Sequence, residues 1–162
     1  MASDDDIGSI EIQGLKELND KLEGLGNELA GKALFSAAMY ALTPMVRDAK
    51  KGAAKAREPH TMTTVNGSKV KVEPGLLKSA IRKRRLPKSE HKGEFAQGAV
   101  VGIYIGKGTK QKVYPRYWHL VERGTVNMPA TPYLRPAFDQ NTGEAVRRFA
   151  EKLSERIDHY TR

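Results

Sequence analysis

The spacing of apolar residues predicts two helices in the first third of the chain. The leucines between Leu15 and Leu25 repeat at three and four residues, the period of one helix face. Two nearby glycines end that helix, and a longer one is expected from about Asn27. Its apolar side is rich in alanine, which favours close packing against a sheet or another helix. Pro44 is expected to kink it, because proline removes an intrahelical hydrogen bond.

The middle of the chain predicts short strands. Asn66-Gly67 is a hairpin signal between the strand candidates 63–65 and 70–72. A short helix turning into a strand is expected over 76–86, and the alternating run AVVGIYIG at 99–106 predicts the clearest strand. Residues 113–122 predict a further strand, or a strand running into a helical turn. Residues 10–12 alternate like another short strand.

Three prolines organise the last third of the chain. Pro129, Pro132 and Pro136 are too closely spaced for a helix or a central strand, and each favours extended geometry before it. They predict a stiff, extended segment that ends where Pro136 suits the first turn of a helix. The buried side of that long C-terminal helix is expected to comprise Ala137, Phe138, Ala145, Val146, Phe149, Ala150, Leu153 and Ile157.

This order of elements predicts an α+β fold. We expect one domain over residues 10–162, in which a small antiparallel sheet is packed by a long N-terminal helix and a C-terminal helix, with an extended arm. Residues 1–9 are acidic and small and predict a disordered tail. That start lacks the features of a signal peptide, and no stretch is expected to cross a bilayer. We therefore expect synthesis in the cytoplasm and no membrane partner.

The net charge of +9 is concentrated in one segment. Residues 47–92 hold fourteen Lys and Arg against four acids, whereas the remaining residues are close to neutral. Such a concentration indicates a polyanion partner, or else a solvated loop that keeps the protein soluble. The residues expected to face DNA are Lys78, Arg82, Lys83, Arg84, Arg85 and Lys88. Without interleaved aromatic residues, such contact would be sequence-blind and strongly salt-dependent.

The sequence offers little support for catalysis. The chain has no cysteine, which excludes disulfides and thiol nucleophiles, and it has no Gly-x-Ser-x-Gly motif. The glycines around Lys107 predict a hairpin turn rather than a phosphate loop. His119 and Glu122 have helical spacing, but two ligands do not make a metal site, and His119 is expected in the core or at an interface. We therefore expect no enzyme, cofactor or metal; a hydrolase dependent on His119 or Glu122 is the third hypothesis.

Several motifs, in this order, resemble a family of tailed-bacteriophage neck proteins described as head–tail joining, tail-completion or tail-component proteins. Residues 10–18 resemble the opening I-x-I-x-G-L-x-E-L, and an Ala-rich helix with Ala49-Lys50 near its end follows. Residues 74–81 resemble T-G-x-L-x-x-S-I, with Pro74 in place of Thr, and residues 101–103 resemble a central V-G strand. Residues 117–138 match Y-x-x-x-V-E-x-G-T-x-x-M-P-A-x-P-[FY]-L-R-P-A-F. Departures are the basic insert 82–92 and Arg123, where an aromatic residue is common.

The resemblance implies a structural role in the virion. Such proteins assemble between the portal connector and the tail, as a ring, six-fold like the tail, through which viral DNA passes. Expected partners are other copies of the chain, connector or head-closure proteins, tail-tube or tail-terminator proteins, and the DNA. The proposed subunit interface comprises Tyr117, Trp118, Glu122, Arg123, Met128, Pro129, Pro132, Tyr133, Leu134 and Arg135. The competing hypothesis is a phage-encoded, sequence-nonspecific DNA-binding protein that acts through residues 47–92.

Overall fold

The computed structural model describes residues 15–64, 66–87 and 100–161. Its helices are α1 (Leu15–Glu23), α2 (Asn27–Ala41), α3 (Thr43–Gly52), α4 (Leu76–Ala80), α5 (Trp118–Arg123) and α6 (Leu134–Thr161). Its strands are β1 (His60–Thr63), β2 (Lys69–Val72), β3 (Ile81–Arg85) and β4 (Val101–Ile105). The α+β class is confirmed. The predicted tail at 1–9 and the strand at 10–12 lie outside the described residues.

Helix α6 is the element on which α1, α2 and α3 pack. The contact face of α2 and α3 carries Ala33, Ala37 and Ala49, all with no exposed surface. Alanine allows two helix backbones to approach closely, so the alanine-rich side predicted to pack against a sheet or helix meets a helix. Leu153 and Ile157 complete the cluster near the C-terminus of α6.

Pro44 divides the long predicted helix into α2 and α3. Leu42 forms a turn between them, and Pro44 lies in the first turn of α3. Proline is tolerated there because the first turn of a helix needs no backbone donor at that position. The kink expected at Pro44 takes the form of a break, in which α2 ends at Ala41 and α3 begins at Thr43.

Two antiparallel hairpins supply the β-structure. In one, His60 pairs with Val72 and Thr63 with Lys69, so the turn at Asn66-Gly67 is confirmed although β1 begins earlier than expected. In the other, β3 pairs with β4, with Ile81 opposite Ile105 and Arg85 opposite Val101. The predicted change from helix to strand within 76–86 occurs between Ala80 and Ile81. The two hairpins are separate sheets rather than one.

The segment 113–122 forms no strand, so the strand in both predicted alternatives is wrong, whereas the helical turn of the second alternative is confirmed. Its C-terminal half is helix α5, because Tyr117, Trp118 and Val121 lie at helical spacing and pack together against the core. Gly124, at a φ of 77°, follows the helix in a conformation that favours glycine.

The predicted buried side of α6 also needs two corrections. Phe138 is 41% exposed. Asn141, which the pattern of apolar residues excluded, is buried and donates a hydrogen bond of 3.0 Å to Asp48 Oδ2 on α3. The amide therefore links two packed helices with its polar group satisfied.

Candidate functional site

An exposed segment, here called the proline arm (Thr125–Pro132), connects α5 to α6. At its tip, Thr125 and Met128 exchange backbone hydrogen bonds of 2.8 and 3.2 Å around a two-residue turn. At its base, Thr131 N–H donates to the Val121 carbonyl over 2.8 Å. The tip is thus closed by its own turn and the base is tied to α5, and Val126, within the tip turn, is 103% exposed.

Glu122 fixes the junction between the proline arm and α6. Its Oε2 accepts hydrogen bonds from the backbone N–H groups of Tyr133 (2.8 Å) and Leu134 (3.0 Å), and its Oε1 accepts one from Arg135 (3.0 Å). The next residue, Pro136, has no N–H. All four backbone donors that a helix leaves unpaired at its N-terminus are therefore satisfied or absent.

The electrostatics of Glu122 match this role. Burial disfavours its charged form, but the three backbone hydrogen bonds and the charge of Arg135 outweigh that effect and hold the pKa of the carboxyl below its ordinary value. A carboxylate is also favoured by the partial positive charge at a helix N-terminus. Glu122 is thus a cap within its own subunit, and its three bonds leave it poorly suited to act as a catalytic base.

Tyr133 anchors the end of the proline arm in the core. It is 2% exposed and belongs to a cluster with Leu77, Ile81 and Ala137. Its hydroxyl is buried with no hydrogen-bond partner among the described residues. Burial, with a contribution from the charge of Glu122, raises the pKa of that hydroxyl.

The structure separates the ten proposed interface residues into two groups. Arg123, Met128, Pro129, Pro132 and Arg135 are exposed. Tyr117, Trp118 and Leu134 are partly buried against the subunit's own core, Tyr133 is buried within it, and Glu122 caps α6. Val126, which was not among the ten, is 103% exposed, compared with 39% for Met128. The second group builds the base that holds the arm.

The basic run Arg82–Arg85 forms strand β3, so its side chains alternate between two faces of the hairpin. Lys83 and Arg85 contact α2 and α3. The Lys83 ammonium donates to the Met39 carbonyl (2.7 Å) and to Thr43 Oγ1 (2.9 Å), and the Arg85 guanidinium lies 3.7 Å from the centre of the Phe35 ring. The pKa of Lys83 is lowered by burial.

Lys83 binds both sides of the break between α2 and α3. The Met39 carbonyl lies in the last turn of α2, where carbonyl groups lack helical donors and carry partial negative charge. A lysine at this point satisfies one of them. Its ammonium therefore belongs to the fold, and Lys83 is a poor candidate for contact with DNA.

The other cations of the predicted DNA-facing set lie in different places. Arg82 and Arg84 are on the opposite face of the hairpin, where Arg82 donates to the Lys107 carbonyl (2.7 Å) and Arg84 lies 4.9 Å from the centre of the Tyr104 ring. Lys78 is exposed on α4. Lys88 lies outside the described residues. The run that appears as one patch in the sequence is therefore divided by the pleat of a strand.

An open apolar groove lies between α2, β4 and α6. It encloses about 270 Å³. Its lining residues are all apolar: Ala38, Ala41, Leu42, Val101, Ala145, Val146 and Phe149.

The described residues contain no cluster of three or more His, Asp or Glu side chains that could hold a metal ion. His119 is exposed on α5, with its ring 5.8 Å from that of Trp118, so the expectation that it lies in the core is wrong. A place for His119 at an interface stays a prediction.

The expectation that no stretch could cross a bilayer also needs correction. Residues Glu28–Gly52 form a helical stretch that is long and apolar enough by length and composition alone, with a mean hydropathy of 1.2 over its most apolar 18 residues. The core helix of a soluble protein meets the same criterion, and Ala33, Ala37 and Met45 of this stretch are buried in the fold. The stretch is weak evidence for a membrane span.

No protein-family model, curated protein or solved structure matches the chain. The functional argument therefore depends on the residues and contacts described above.

Proposed function

We propose that this chain is a non-enzymatic structural subunit of a tailed-phage virion, which forms a ring around the DNA channel at the joint between head and tail. The observation that carries the proposal is the proline arm, whose exposed tip presents Val126 and Met128 at 103% and 39% exposure. Exposed apolar side chains on a fixed projection suit contact with another protein surface. The motif resemblance over residues 117–138 supports the same role.

The way in which the proline arm is held favours docking. Its prolines restrict the backbone, and hydrogen bonds at Val121 and Glu122 fix its base. A segment that is already ordered loses little conformational entropy when it binds. Residues such as Tyr133 and Trp118 act indirectly in this proposal, because they hold the arm rather than touch the neighbour.

A ring also needs a second, different patch on each subunit, because contacts between unlike patches close by rotation. The apolar groove is the candidate for that patch. Val146, on its rim, lies twelve residues beyond Leu134, a distance of roughly 18 Å along α6 at 1.5 Å per residue. No residue of the proline arm lines the groove, so the tip and the groove are distinct surfaces, and we propose that the Val126 tip of one subunit occupies the groove of the next.

Disulfide trapping tests this pairing cleanly because the chain contains no cysteine. A variant with both Val126→Cys and Val146→Cys should, on oxidation, give a ladder of linked subunits on a denaturing gel, with the longest species equal to the ring size. The experiment is run on purified protein and on isolated tails, since rings can form on the tail itself.

The matched control pairs Val126→Cys with Leu29→Cys, which is an exposed apolar residue at the start of α2 and outside the groove. Ladders of equal intensity from both cysteine pairs would show that the disulfide links arise from random collision. Absence of the protein from isolated virions, with monomers under every condition, would refute the proposed function. Duplex DNA binding without assembly would instead favour the competing DNA-binding hypothesis for residues 47–92.

A further inference from the structure

A pocket of about 230 Å³ lies between the turn of the β1–β2 hairpin and the loop that follows β4. Three basic residues, Lys107, Lys112 and Arg116, line it. Thr64, Asn66 and Tyr114 supply neutral polar groups to the same wall. No acidic residue lines the pocket, and within the described ranges no carboxylate forms a salt bridge with any of its three cations.

The loop that carries Lys107 and Lys112 is fixed from several sides. Gln111 exchanges two hydrogen bonds with the backbone of Glu73, at 2.9 and 3.0 Å. Gly108 N–H donates to the Val113 carbonyl over 2.8 Å and closes the loop. A side chain at Gly108 would approach Leu76 to 2.5 Å, so the loop packs tightly on α4. The pocket is therefore built in advance of any ligand.

Lys112 has an unusual backbone conformation. Its φ is 44°, and it is the non-glycine residue with positive φ among those described. This left-handed conformation costs roughly 1 kcal/mol for a residue with a side chain. Glycine at this position would avoid that cost, and such strained residues concentrate at ligand sites. A lysine here places a cation on the pocket wall in spite of the strain.

Tyr114 adds a hydroxyl group to the pocket lining. Its hydroxyl oxygen accepts a hydrogen bond of 2.8 Å from the indole Nε1–H of Trp118. The phenolic O–H is then left to donate. Cations together with hydroxyl and amide donors match the acceptor oxygens of a phosphate group.

We propose that this pocket binds phosphate groups, supplied either by the backbone of duplex DNA or by a free phosphate compound. The site lies within one subunit and is separate from the Arg82–Arg85 run, although Arg82 supports it by binding the Lys107 carbonyl. The proposal therefore stands whether or not the chain forms a ring.

Lys112→Gly is the central test, because it separates binding from folding. Removing the left-handed lysine should keep or raise the thermal unfolding midpoint, yet reduce phosphate affinity about five- to tenfold, as expected for loss of one charge-assisted contact. Arg116→Gln should weaken binding similarly. Lys110→Gln is the matched control, since it removes an equal charge from the same loop at an exposed position that does not line the pocket.

Two probes distinguish the sources of phosphate. Fluorescence anisotropy measures binding of a labelled 20-base-pair duplex at several salt concentrations, and calorimetry measures binding of inorganic phosphate and pyrophosphate. If DNA is the source, Lys112→Gly should also lower the magnitude of the salt slope by about 1. Weakening of the pyrophosphate signal alone would indicate a small ligand. An equal loss in Lys110→Gln, or no loss in either pocket variant, would overturn the proposal.

Discussion

Replacing Glu122 by glutamine tests whether one carboxylate holds the start of α6. Glutamine has nearly the same shape but carries no charge, and one of its two terminal groups is a donor. Of the three backbone N–H groups that the carboxylate binds, at least one would then face another donor. The favourable interaction with the helix N-terminus would also be lost.

The magnitude follows from the exposure of these bonds. A hydrogen bond to a charged group contributes about 1.5–3 kcal/mol when shielded from water, and helix caps contribute typically about 1 kcal/mol. The bonds from Tyr133 and Leu134 are partly buried, whereas the bond from Arg135 is exposed. We therefore expect Glu122→Gln to lower the free energy of unfolding by about 1–2 kcal/mol at pH 7, and Glu122→Ala by about 2–3 kcal/mol.

Urea denaturation across a pH series gives the sharper measurement. Because the pKa of Glu122 is lowered in the folded state, its stabilising contribution is present above the unfolded value of about 4.3 and is lost as the pH falls through the lower folded value. The gap in unfolding free energy between the native protein and Glu122→Gln should therefore be constant above about pH 4.3 and narrow progressively as the pH falls below it. Asp48, whose pKa is lowered to about 2 by hydrogen bonds from Arg47 and Asn141, titrates equally in both proteins.

Glu151→Gln serves as the control, because this exposed residue of α6 has only a 3.8 Å ion pair with Arg147. Such a pair contributes well under about 1 kcal/mol. A Glu122→Gln protein as stable as the control at neutral pH, or a gap that persists unchanged in acid, would refute the capping argument.

Four further substitutions test other contacts. Tyr133→Phe should leave stability unchanged or raise it by up to about 1 kcal/mol, because the lost hydroxyl has no described partner; clear destabilisation in urea would reveal a hidden one. Lys83→Met should lower stability by about 1 kcal/mol without changing duplex affinity in an anisotropy titration, whereas the reverse pattern would restore this lysine to the DNA-facing set. Gly124→Ala should cost at least about 2 kcal/mol, since its φ is 77° and a Cβ would lie 2.7 Å from the Ala130 nitrogen. Gly143→Ala, in open space on α6, should instead stabilise by up to about 1 kcal/mol; similar melting temperatures for these two alanine variants would contradict the geometry.

Helix positions were predictable from the sequence where apolar residues repeat at the helical period and the face that they form packs in the core. Leu18 and Leu22 of α1 and the alanines of α2 repeat at the spacing of one helix face, and those faces are the ones that pack. The sequence also predicted a change from helix to strand within 76–86, but not its position between Ala80 and Ile81. The segment 117–122 was not, because its aromatic and β-branched residues also suit a strand, and only their shared contact with the core selects a helix.

The candidate site was less accessible to sequence reasoning. The total charge of a segment does not show on which face of a strand each side chain lies. The alternation along β3 directs Lys83 to the end of α2 and Arg82 to the loop that contains Lys107. The role of Glu122 depends on contact with residues eleven to thirteen positions later. The one available signal was Pro136. Because proline has no N–H group, only three of the four unpaired backbone donors at the start of α6 remain, and a single carboxylate can accept hydrogen bonds from all three. Lys112 carried no sequence signal, since positive φ is a property of the folded loop.

The cap at Glu122 has a mechanical consequence. The same short helix binds the base of the proline arm through the Val121 carbonyl and the first turn of α6 through a carboxylate. A pulling force on the tip would therefore be transmitted to the 28-residue helix α6 through the peptide groups of its first turn. It would not simply detach a loop from the surface. The exposed tip and the start of the longest helix are therefore both tied to one helix of six residues.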